Sequence, residues 1–554
     1  MQAITQRMET DVLVVGGGAA GIRAAIAAHD AGATVLLVTA GRLGGGGSTF
    51  YPDSLPWGIL SAGESENGAA EFYEEILSVA GGVADRRLVE VLARDSDARL
   101  RELFGYGLEF TSLVRNHEKP CFGGRPRGFQ LNRLSQAQAC LLRELFKRAI
   151  AILEGFSGVD LLLRDGVCAG MLGLDAAGQG VEIAAGAVVL ATGGAESLWR
   201  YGFGDREQLG AGYAMAIRNG AALANLEFIQ FIPGTLAPRP GSNFHHPTLS
   251  SLPALRNADG AEFLTDYLPP ETSVAACLNC RASHGPFSYE DESRHFDLAI
   301  VRESERLGAP GAAVVYGPDF FLEPKFRLWR DYLAARGVDS RREPLWIYPH
   351  CQGFNGGIRI DETGMSGIPN LFACGETAGG PHGANRMGGN AILATQVFGK
   401  LSGEHAAKLA RRSSRRSGPA GASRDWLRDF DSGHPARLAP EQVLDGIRET
   451  MHAAAGIIRS ETRLRAGLDS LAGLARDYNP LEYPGPALRT ALAAANALLT
   501  ATAILQAMLA RKESRGPHFR EDFPERNDAE YGGMSLLRSR NGTELEAAIA
   551  RNVS

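Results

Sequence analysis

One stretch constrains the fold more than any other part of this 554-residue chain: residues 11–42, DVLVVGGGAAGIRAAIAAHDAGATVLLVTAGR. The apolar run Asp11–Val15 predicts a strand, the alanine-rich segment Ala19–Ala31 predicts a helix, and Thr34–Val38 predicts a second strand. A strand, a helix and a strand in this order form a βαβ unit of a parallel sheet. The sequence therefore predicts an α/β fold.

The turn between the first strand and the helix has the G-x-G-x-x-G spacing, with Gly16, Gly18 and Gly21. In this arrangement the glycines permit a sharp turn, the approach of a pyrophosphate and close packing of helix on strand. The helix N-terminus then offers free N–H groups to the phosphates. At the end of the second strand, where NAD-binding units carry Asp or Glu, this chain has Thr39. Binding of NAD by this unit therefore has less support, whereas binding of a flavin adenine dinucleotide remains compatible with the sequence.

Composition places limits on the class of protein. The length predicts two or three domains, and 68 glycines with 22% charged residues suit a loop-rich, ligand-binding protein. A net charge of −6 is too small to indicate a nucleic-acid partner. Seven scattered cysteines, an odd number, favour a reducing cytoplasm. The polar start predicts no signal peptide, and Ala491–Ala510, which contains Asn496, predicts a packed helix rather than a membrane segment.

Seven motifs resemble one family, and they occur in order over nearly the whole chain. They are GGGAAG at 16–21, GGSTFY at 46–51, ATGG at 191–194, EFIQF at 227–231, FNGGIRID at 354–361, CGETAGGPHGANRMGGNAI at 374–392 and ESRGPHFREDFPERND at 513–528. Together they resemble the flavoprotein superfamily of succinate dehydrogenase, fumarate reductase and L-aspartate oxidase. The block at 374–392 is specific to that superfamily, whereas the first glycine motif alone is not.

The resemblance implies FAD, with a hydride passing between a substrate carbon and flavin N5 in a site between two domains. It suggests that Glu376 binds a ribose or ribityl hydroxyl, and that a helix beginning near Asn390 directs its N-terminus at the flavin. The predicted FAD contacts are Gly16, Gly18, Ala19, Ala20, Gly21, Thr39, Gly46, Gly47, Ser48, Thr49, Val167, Ala191, Thr192, Gly193, Gly375, Glu376, Arg386, Gly389, Asn390, Ala391 and Ile392.

Ser48 occupies the position at which membrane succinate dehydrogenases carry a histidine that bonds covalently to the flavin. A serine predicts non-covalent FAD, as the resemblance to L-aspartate oxidase also suggests.

The predicted fold is a Rossmann-like FAD-binding domain with an inserted α+β cap domain and a C-terminal helical domain. Its predicted parts are 1–231 and 346–410 for FAD binding, 232–345 for the cap, 411–424 for a basic linker and 425–554 for the helical domain.

Four residues are candidates for substrate chemistry. By resemblance, Arg386 binds a substrate carboxylate, for which its planar charged fork is suited. His350 lies before the Gly-Gly segment that follows a family histidine, and Arg294 matches an arginine near the cap helix. His246 starts a displaced His-Pro-Thr. Simpler alternatives stay open: an ion pair for either arginine, a buried structural role for His350, and coincidence for His246.

Two family features are missing. After EFIQF the family carries His-Pro-Thr, but here Ile232 follows, and the cap segment Arg-Gly-Glu-Gly with its proton-transferring arginine is absent. These departures predict a substrate with one anchored carboxylate or other anion and a less polar remainder. A single C-x-x-C at Cys277 and Cys280, without a second pair, predicts no metal.

Two functional hypotheses follow, and the missing cap arginine leaves open a third, a flavin-binding protein without turnover. The first is a self-contained flavoenzyme that acts on a small organic anion and passes electrons to dioxygen or another acceptor. The alternative is a flavoprotein subunit that exchanges electrons with an iron–sulfur or quinone-linked partner. The sequence leaves open the substrate, the acceptor, the reaction direction and whether the chain forms a homo-oligomer.

Overall fold

The computed structural model describes residues 4–50, 57–63, 65–131, 133–413, 426–540 and 544–551. Most of the predicted linker, 411–424, lies outside these residues. The largest sheet has seven strands and contains the predicted βαβ unit. Five of its strands are parallel, in the spatial order Ala151–Glu154, Val35–Thr39, Ile4–Val15, Gly180–Leu190 and Leu371–Ala373. Val167–Leu174 and Ser157–Arg164 extend the sheet as antiparallel strands.

The centre of this sheet is buried on both faces, because its strands are continuous apolar runs. Val14 pairs with Val189, which pairs with Phe372 on the next strand, and all three are fully buried. The parallel strands place their carboxyl ends, and the loops that follow, along one edge. That edge is where α/β sheets bind ligands.

Two helices, Ala19–Asp30 and Asn390–Ser413, pack closely against each other beside the sheet. Glycines permit this approach: a Cβ at Gly403 would lie 2.2 Å from the carbonyl oxygen of Ala24, and one at Gly399 would lie 2.9 Å from that of Ala20. The two helices therefore hold the first glycine turn and the last glycine-rich block in one rigid arrangement.

The inserted segment contains a four-stranded antiparallel sheet, in the order Ile229–Ala237, Leu345–Phe354, Ala312–Val315 and Ala254–Arg256. The chain enters and leaves the insertion through the first two of these strands, which pair with each other, and the predicted boundaries at 231/232 and 345/346 fall within them. Four helices accompany the sheet: Val274–Arg281, Arg294–Leu307, Pro318–Leu322 and Arg327–Ala335. The segment thus has mixed α and β content.

The C-terminal region packs three helices together: Pro440–Ala454, Glu461–Arg476 and Ala487–Ala510. Among the described residues, only the helix Ala487–Ala510 is long and apolar enough to cross a membrane by length and composition. Of its most apolar 18-residue stretch, 67% is buried inside the molecule. The chain then forms a hairpin of Gly533–Ser539 and Leu545–Arg551. The sequence analysis did not predict this hairpin. It joins a five-stranded sheet with Leu223–Ala224, Gly357–Arg359 and Ala378–Gly379.

Smaller elements complete the described structure. The remaining strands are Trp57–Leu60, Thr111–Ser112 and Gly128–Leu131, which form one sheet, and the pair Ile458–Arg459 and Phe519–Arg520. The remaining α-helices are Gly47–Phe50, Gly68–Val79, Arg86–Gly105, Leu134–Phe146, Ala211–Arg218 and Asp528–Tyr531.

Candidate functional site

A cavity of about 1110 Å³ follows the carboxyl edge of the large sheet and extends to the inserted segment. Most predicted FAD contacts line it: Gly16, Gly18, Ala19, Ala20, Thr39, Gly46, Gly47, Ser48, Thr49, Ala191, Thr192, Gly193, Gly375, Glu376, Arg386, Gly389, Ala391 and Ile392. These residues are far apart in sequence, and the fold brings them together around one elongated space.

The first glycine turn is shaped by close backbone contacts. Gly16 has φ +118°, and a Cβ on it would lie 2.1 Å from the carbonyl oxygen of Ala191. A Cβ on Gly21, which does not itself line the cavity, would lie 1.9 Å from the carbonyl oxygen of Gly16. The N-terminus of the helix Ala19–Asp30 faces the cavity. The Thr49 hydroxyl lies beside it and accepts a hydrogen bond from the Ala19 N–H at 3.4 Å. This arrangement suits a pyrophosphate.

A part of the cavity wall that the sequence analysis missed lies beyond Thr39. The N–H of Phe156 donates to the Thr39 carbonyl at 3.1 Å, and Phe156–Val159 line the cavity. Arg489, from the C-terminal region, donates to Ser157 Oγ at 3.1 Å and to the Ala40 carbonyl at 3.2 Å. Val167, predicted to contact FAD, is not among the described residues that line the cavity. It pairs with Arg164 at the hairpin turn, whereas Phe156–Val159 occupy the other end of that hairpin.

The other end of the cavity meets the N-terminus of the helix Asn390–Ser413. Gly389 has φ +103°, in the region that favours glycine, and it packs against Leu60. Asn390 does not line the cavity itself, but its side chain is 1% exposed and its Oδ1 has no hydrogen-bond partner among the described groups. A buried orphan acceptor beside a glycine-bordered space fits a ligand that supplies a polar edge.

Glu376 faces both the cavity and a buried carboxyl group. Its Oε1 accepts from the Phe354 N–H at 2.8 Å. Glu196, fully buried, lies beside it, and burial together with the charge of Glu376 raises the pKa of Glu196 well above its usual value. The proton on Glu196 is therefore held more firmly than on a free carboxyl group, since a charged Glu196 would lack water and lie beside a second carboxylate.

Ser48 accepts a hydrogen bond from Gln208 Nε2 at 2.8 Å and lines the cavity. A serine offers no imidazole nitrogen for a bond to a flavin. We therefore predict that acid precipitation of the yellow protein releases all of its FAD into the supernatant, as absorbance will show. Flavin retained in the washed pellet would contradict the prediction.

Arg386 is partly buried and lines the cavity. Its Nη2 donates to Gln230 Oε1 at 2.6 Å. Within the described parts of the chain no carboxylate lies within ion-pair distance of Arg386, and Gln230 Nε2 has no hydrogen-bond partner. Burial lowers the pKa of Arg386, but guanidinium groups stay charged in proteins. The site therefore has a positive charge without a directly paired anion.

The wall opposite this charge comes from the inserted segment. Ile232, Phe244, His246 and Pro286 line the cavity there. Burial lowers the pKa of His246 well below its usual value, and the nearby Arg281 lowers it further. His246 is thus neutral at pH 7 and can offer one donor and one acceptor. The displaced His-Pro-Thr brings a histidine to the cavity, whereas its predicted role in catalysis stays a prediction.

Neither His350 nor Arg294 is among the described residues that line this cavity, and their predicted catalytic roles stay predictions. His350 Nδ1 is 2.8 Å from the Tyr348 carbonyl, and the ring stacks on Phe203 at 4.9 Å. It lines a separate, smaller cavity of about 650 Å³. Strand register places His350 opposite Ile232, and the His350 ring packs against Phe203. Arg294 donates to the Tyr289 carbonyl at 3.1 Å at the start of its helix, away from the cavity.

Buried neutral histidines give the fold a predictable response to acid. Burial lowers the pKa of His350 to about 4 and that of His382 to about 3. In the unfolded chain these histidines bind protons near pH 6.5, whereas in the folded protein they do so only at lower pH. The free energy of unfolding is therefore highest above pH 6.5 and decreases as the pH falls toward 4. We expect a loss of about 1.4 kcal/mol per pH unit for each histidine, measured by denaturant unfolding with excess FAD. A His350→Phe variant should lose less, and an unchanged pH dependence in that variant would contradict this assignment.

Comparison with known proteins agrees with this geometry. A family model described as "FAD binding domain" matches residues 11–392, and one described as "Fumarate reductase flavoprotein C-term" matches residues 445–553. The chain belongs to the succinate dehydrogenase, fumarate reductase and L-aspartate oxidase flavoprotein superfamily. It is therefore an FAD-dependent oxidoreductase, as the sequence predicted, and the resemblance and the overall fold class are confirmed.

Individual relatives of the flavoprotein cover nearly all of it. A fumarate reductase (CoM/CoB) subunit of Methanothermobacter marburgensis is 31% identical over 535 residues, 93% of this chain and 95% of the relative. L-aspartate oxidase of Streptomyces coelicolor is 28% identical over 564 residues, 95% of this chain and 91% of the relative. The flavoprotein chain of an Escherichia coli quinol fumarate reductase variant shares the fold, with a TM-score of 0.82, 24% identity and coverage of 99% and 98%.

The residues of the cavity fit the FAD that the family binds. The first helix N-terminus suits the pyrophosphate, Phe156–Val159 suit the adenosine end, and Gly389 with the following helix suits the flavin. When bound, FAD supplies a two-electron acceptor or donor. The chain itself supplies a charged fork at Arg386 and a wall that excludes water at Ile232 and Phe244.

Proposed function

We propose that this flavoprotein transfers a hydride between FAD and a small organic acid whose carboxylate binds to Arg386. One observation carries the proposal: the Arg386 guanidinium faces the cavity and contacts the neutral amide of Gln230 at 2.6 Å instead of a carboxylate. A partly buried guanidinium without a carboxylate in direct contact is only partly compensated, and a substrate carboxylate would pair with it through two parallel hydrogen bonds.

The remainder of the substrate meets a largely apolar surface. Ile232 and Phe244 are 3% and 2% exposed and line the cavity. The family histidine that holds a second carboxylate is replaced by Ile232. We therefore propose that the preferred substrate has one carboxylate and a less polar remainder, and that fumarate and succinate are poor substrates.

Anaerobic reduction of the flavin tests this proposal directly. Purified yellow protein is mixed with amino acids, dicarboxylates, and unsaturated or hydroxy acids, and loss of the flavin absorbance is followed. We expect a monocarboxylate with an apolar remainder to bleach the flavin faster than succinate does. Turnover of succinate or fumarate at about 1–1000 per second would contradict the proposal.

A second candidate function, a flavoprotein subunit that exchanges electrons with a partner, is favoured by the relatives. The methanogen relative is one subunit of its fumarate reductase, and a solved structure of the same fold is a quinol fumarate reductase. Air distinguishes the two functions. If substrate-reduced protein recolours in air without an added protein or quinone, the self-contained enzyme is supported. If it stays reduced until an iron–sulfur protein or quinone is added, the electron-exchanging function is supported.

A further inference from the structure

We infer that the inserted segment contains a zinc site made by Cys280, His284 and Asp291. The Sγ of Cys280, a ring nitrogen of His284 and a carboxylate oxygen of Asp291 all lie within 4.8 Å of one another. One ligand comes from the end of the helix Val274–Arg281, and the other two come from the loop that follows it. Cys277, the other half of the C-x-x-C, does not belong to this group. This inference departs from the prediction of no metal.

The orientation of His284 is the observation that points to a cation. Its Nδ1 lies 2.7 Å from the Pro286 carbonyl, so Nδ1 carries the proton and donates. In the neutral ring Nε2 then has only a lone pair. Nε2 faces Asp291 Oδ2 at 3.3 Å, yet it makes no hydrogen bond with any described group, and His284 is 3% exposed. A buried ring nitrogen without a partner, beside a carboxylate oxygen, is a place where a bound cation would satisfy both groups.

The spacing of the three atoms suits zinc with little rearrangement. Bond lengths of about 2.0–2.3 Å to nitrogen, oxygen and sulfur place tetrahedral ligands about 3.3–3.9 Å apart. The separation between His284 and Asp291 is already 3.3 Å. The ligand atoms all lie within 4.8 Å of one another, so the sulfur needs to approach the other two by at most about 1.3 Å. A thiolate, an imidazole and a carboxylate together favour Zn²⁺ over Mg²⁺ or Ca²⁺, and the carbonyl on Nδ1 is a common second partner of zinc-bound histidines.

The surroundings leave room for a fourth ligand and an access path. The Asp291 side chain is 37% exposed, and Cys280 is partly exposed, so a water molecule can complete the coordination. A neighbouring positive group, Arg281, is already neutralised by Asp297 at 2.7 Å. Binding displaces the Cys280 thiol proton to solvent, so zinc affinity falls in acid.

The position of the site suggests a structural role. His284 stacks on Phe122 at 4.6 Å, and the next residue, Gly285, donates its N–H to Cys121 Sγ at 3.4 Å. Gly285 and Pro286 line the large cavity, whereas the three zinc ligands do not. The ion would fix the loop that forms this part of the cavity wall, without contacting the substrate.

Metal analysis of the full-length holoenzyme tests the inference. After treatment with a chelator, the protein is dialysed against buffer with micromolar ZnCl₂, and bound zinc is measured by mass spectrometry. We expect one zinc per chain, and Co²⁺ in its place should give visible bands of a tetrahedral thiolate site at longer wavelengths than the flavin absorbs. The Cys280→Ser and His284→Gln variants should lose stoichiometric binding, whereas Cys277→Ser, three residues away in the same helix, should keep it.

Two results would overturn the inference. One is wild-type protein that retains no stoichiometric zinc, in which case a proton joins His284 to Asp291. The other is Cys280→Ser protein that binds zinc and Co²⁺ as the wild type does. FAD content and far-ultraviolet circular dichroism establish that each variant is folded. Because Cys280 is partly exposed, its serine variant gives a valid result even if His284→Gln does not fold.

Discussion

Arg386→Ala is expected to lower the rate of substrate-driven flavin reduction by about 10²–10³-fold at limiting substrate. Truncating one side of a buried, hydrogen-bonded charge pair costs about 2–5 kcal/mol, and each 1.4 kcal/mol is tenfold. Arg386→Lys should recover only part of the loss, because an ammonium group lacks the planar fork. The measurement is stopped-flow absorbance with the best acid from the substrate screen.

Gln230 allows a sharper form of the same test. Gln230→Glu changes one amide to a carboxylate 2.6 Å from the Arg386 guanidinium, where it would compete with the substrate. We expect the substrate concentration for half-maximal reduction to rise by about 10²-fold or more, since an internal ion pair must be broken for binding. FAD content should be unchanged.

The control for both variants is an arginine away from the cavity. Arg302 is exposed on the helix Arg294–Leu307, and Arg302→Ala should reduce at the wild-type rate. The sequence analysis assigned Arg294 to substrate chemistry, whereas in the structure it does not line the cavity. The Arg294→Ala variant distinguishes these two assignments. If it slows reduction as much as Arg386→Ala does, the placement of Arg294 outside the site is wrong.

The dinucleotide-binding half of the site can be predicted from the sequence, because its backbone geometry permits only particular residues. Gly16 and Gly21 leave no room for a Cβ, so the turn is visible as a spacing of glycines. Gly389, with its positive φ, marks the second helix N-terminus in the same way. Such positions can be predicted because few residues are compatible with them.

The rest of the site depends on contacts that have no local signature. Phe156–Val159 reach the cavity as ordinary strand residues, and Arg489 arrives from more than 300 residues later in the chain. His350 has a motif-like neighbourhood, but strand pairing turns its ring toward Phe203. The group of Cys280, His284 and Asp291 has no repeated spacing, so only the folded loop brings these side chains together.

A buried ion-pair network joins residues of two motifs that are far apart in the sequence, EFIQF at 227–231 and ESRGPHFREDFPERND at 513–528. Arg511 donates to Glu227 at 2.5 Å and to Glu513 at 2.7 Å, and all three side chains are fully buried. It also donates to the carbonyls of Tyr531 and Gly533, at the start of the C-terminal hairpin. Arg511 thus connects the C-terminal region to Glu227, just before the strand Ile229–Ala237, and Ile232 of that strand lines the cavity.

Arg511→Ala should therefore lower the free energy of unfolding by about 3–5 kcal/mol, because it leaves Glu227 buried without its counter-charge. Denaturant unfolding measures the loss. Arg526→Ala breaks an exposed pair with Asp528 at 3.0 Å, and as the control it should cost less than about 1 kcal/mol. The double variant Arg511→Met with Glu227→Gln should cost less than the sum of its single changes, since no buried charge remains unpaired. Equal losses for Arg511→Ala and Arg526→Ala would show that the network does not hold the C-terminal region in place.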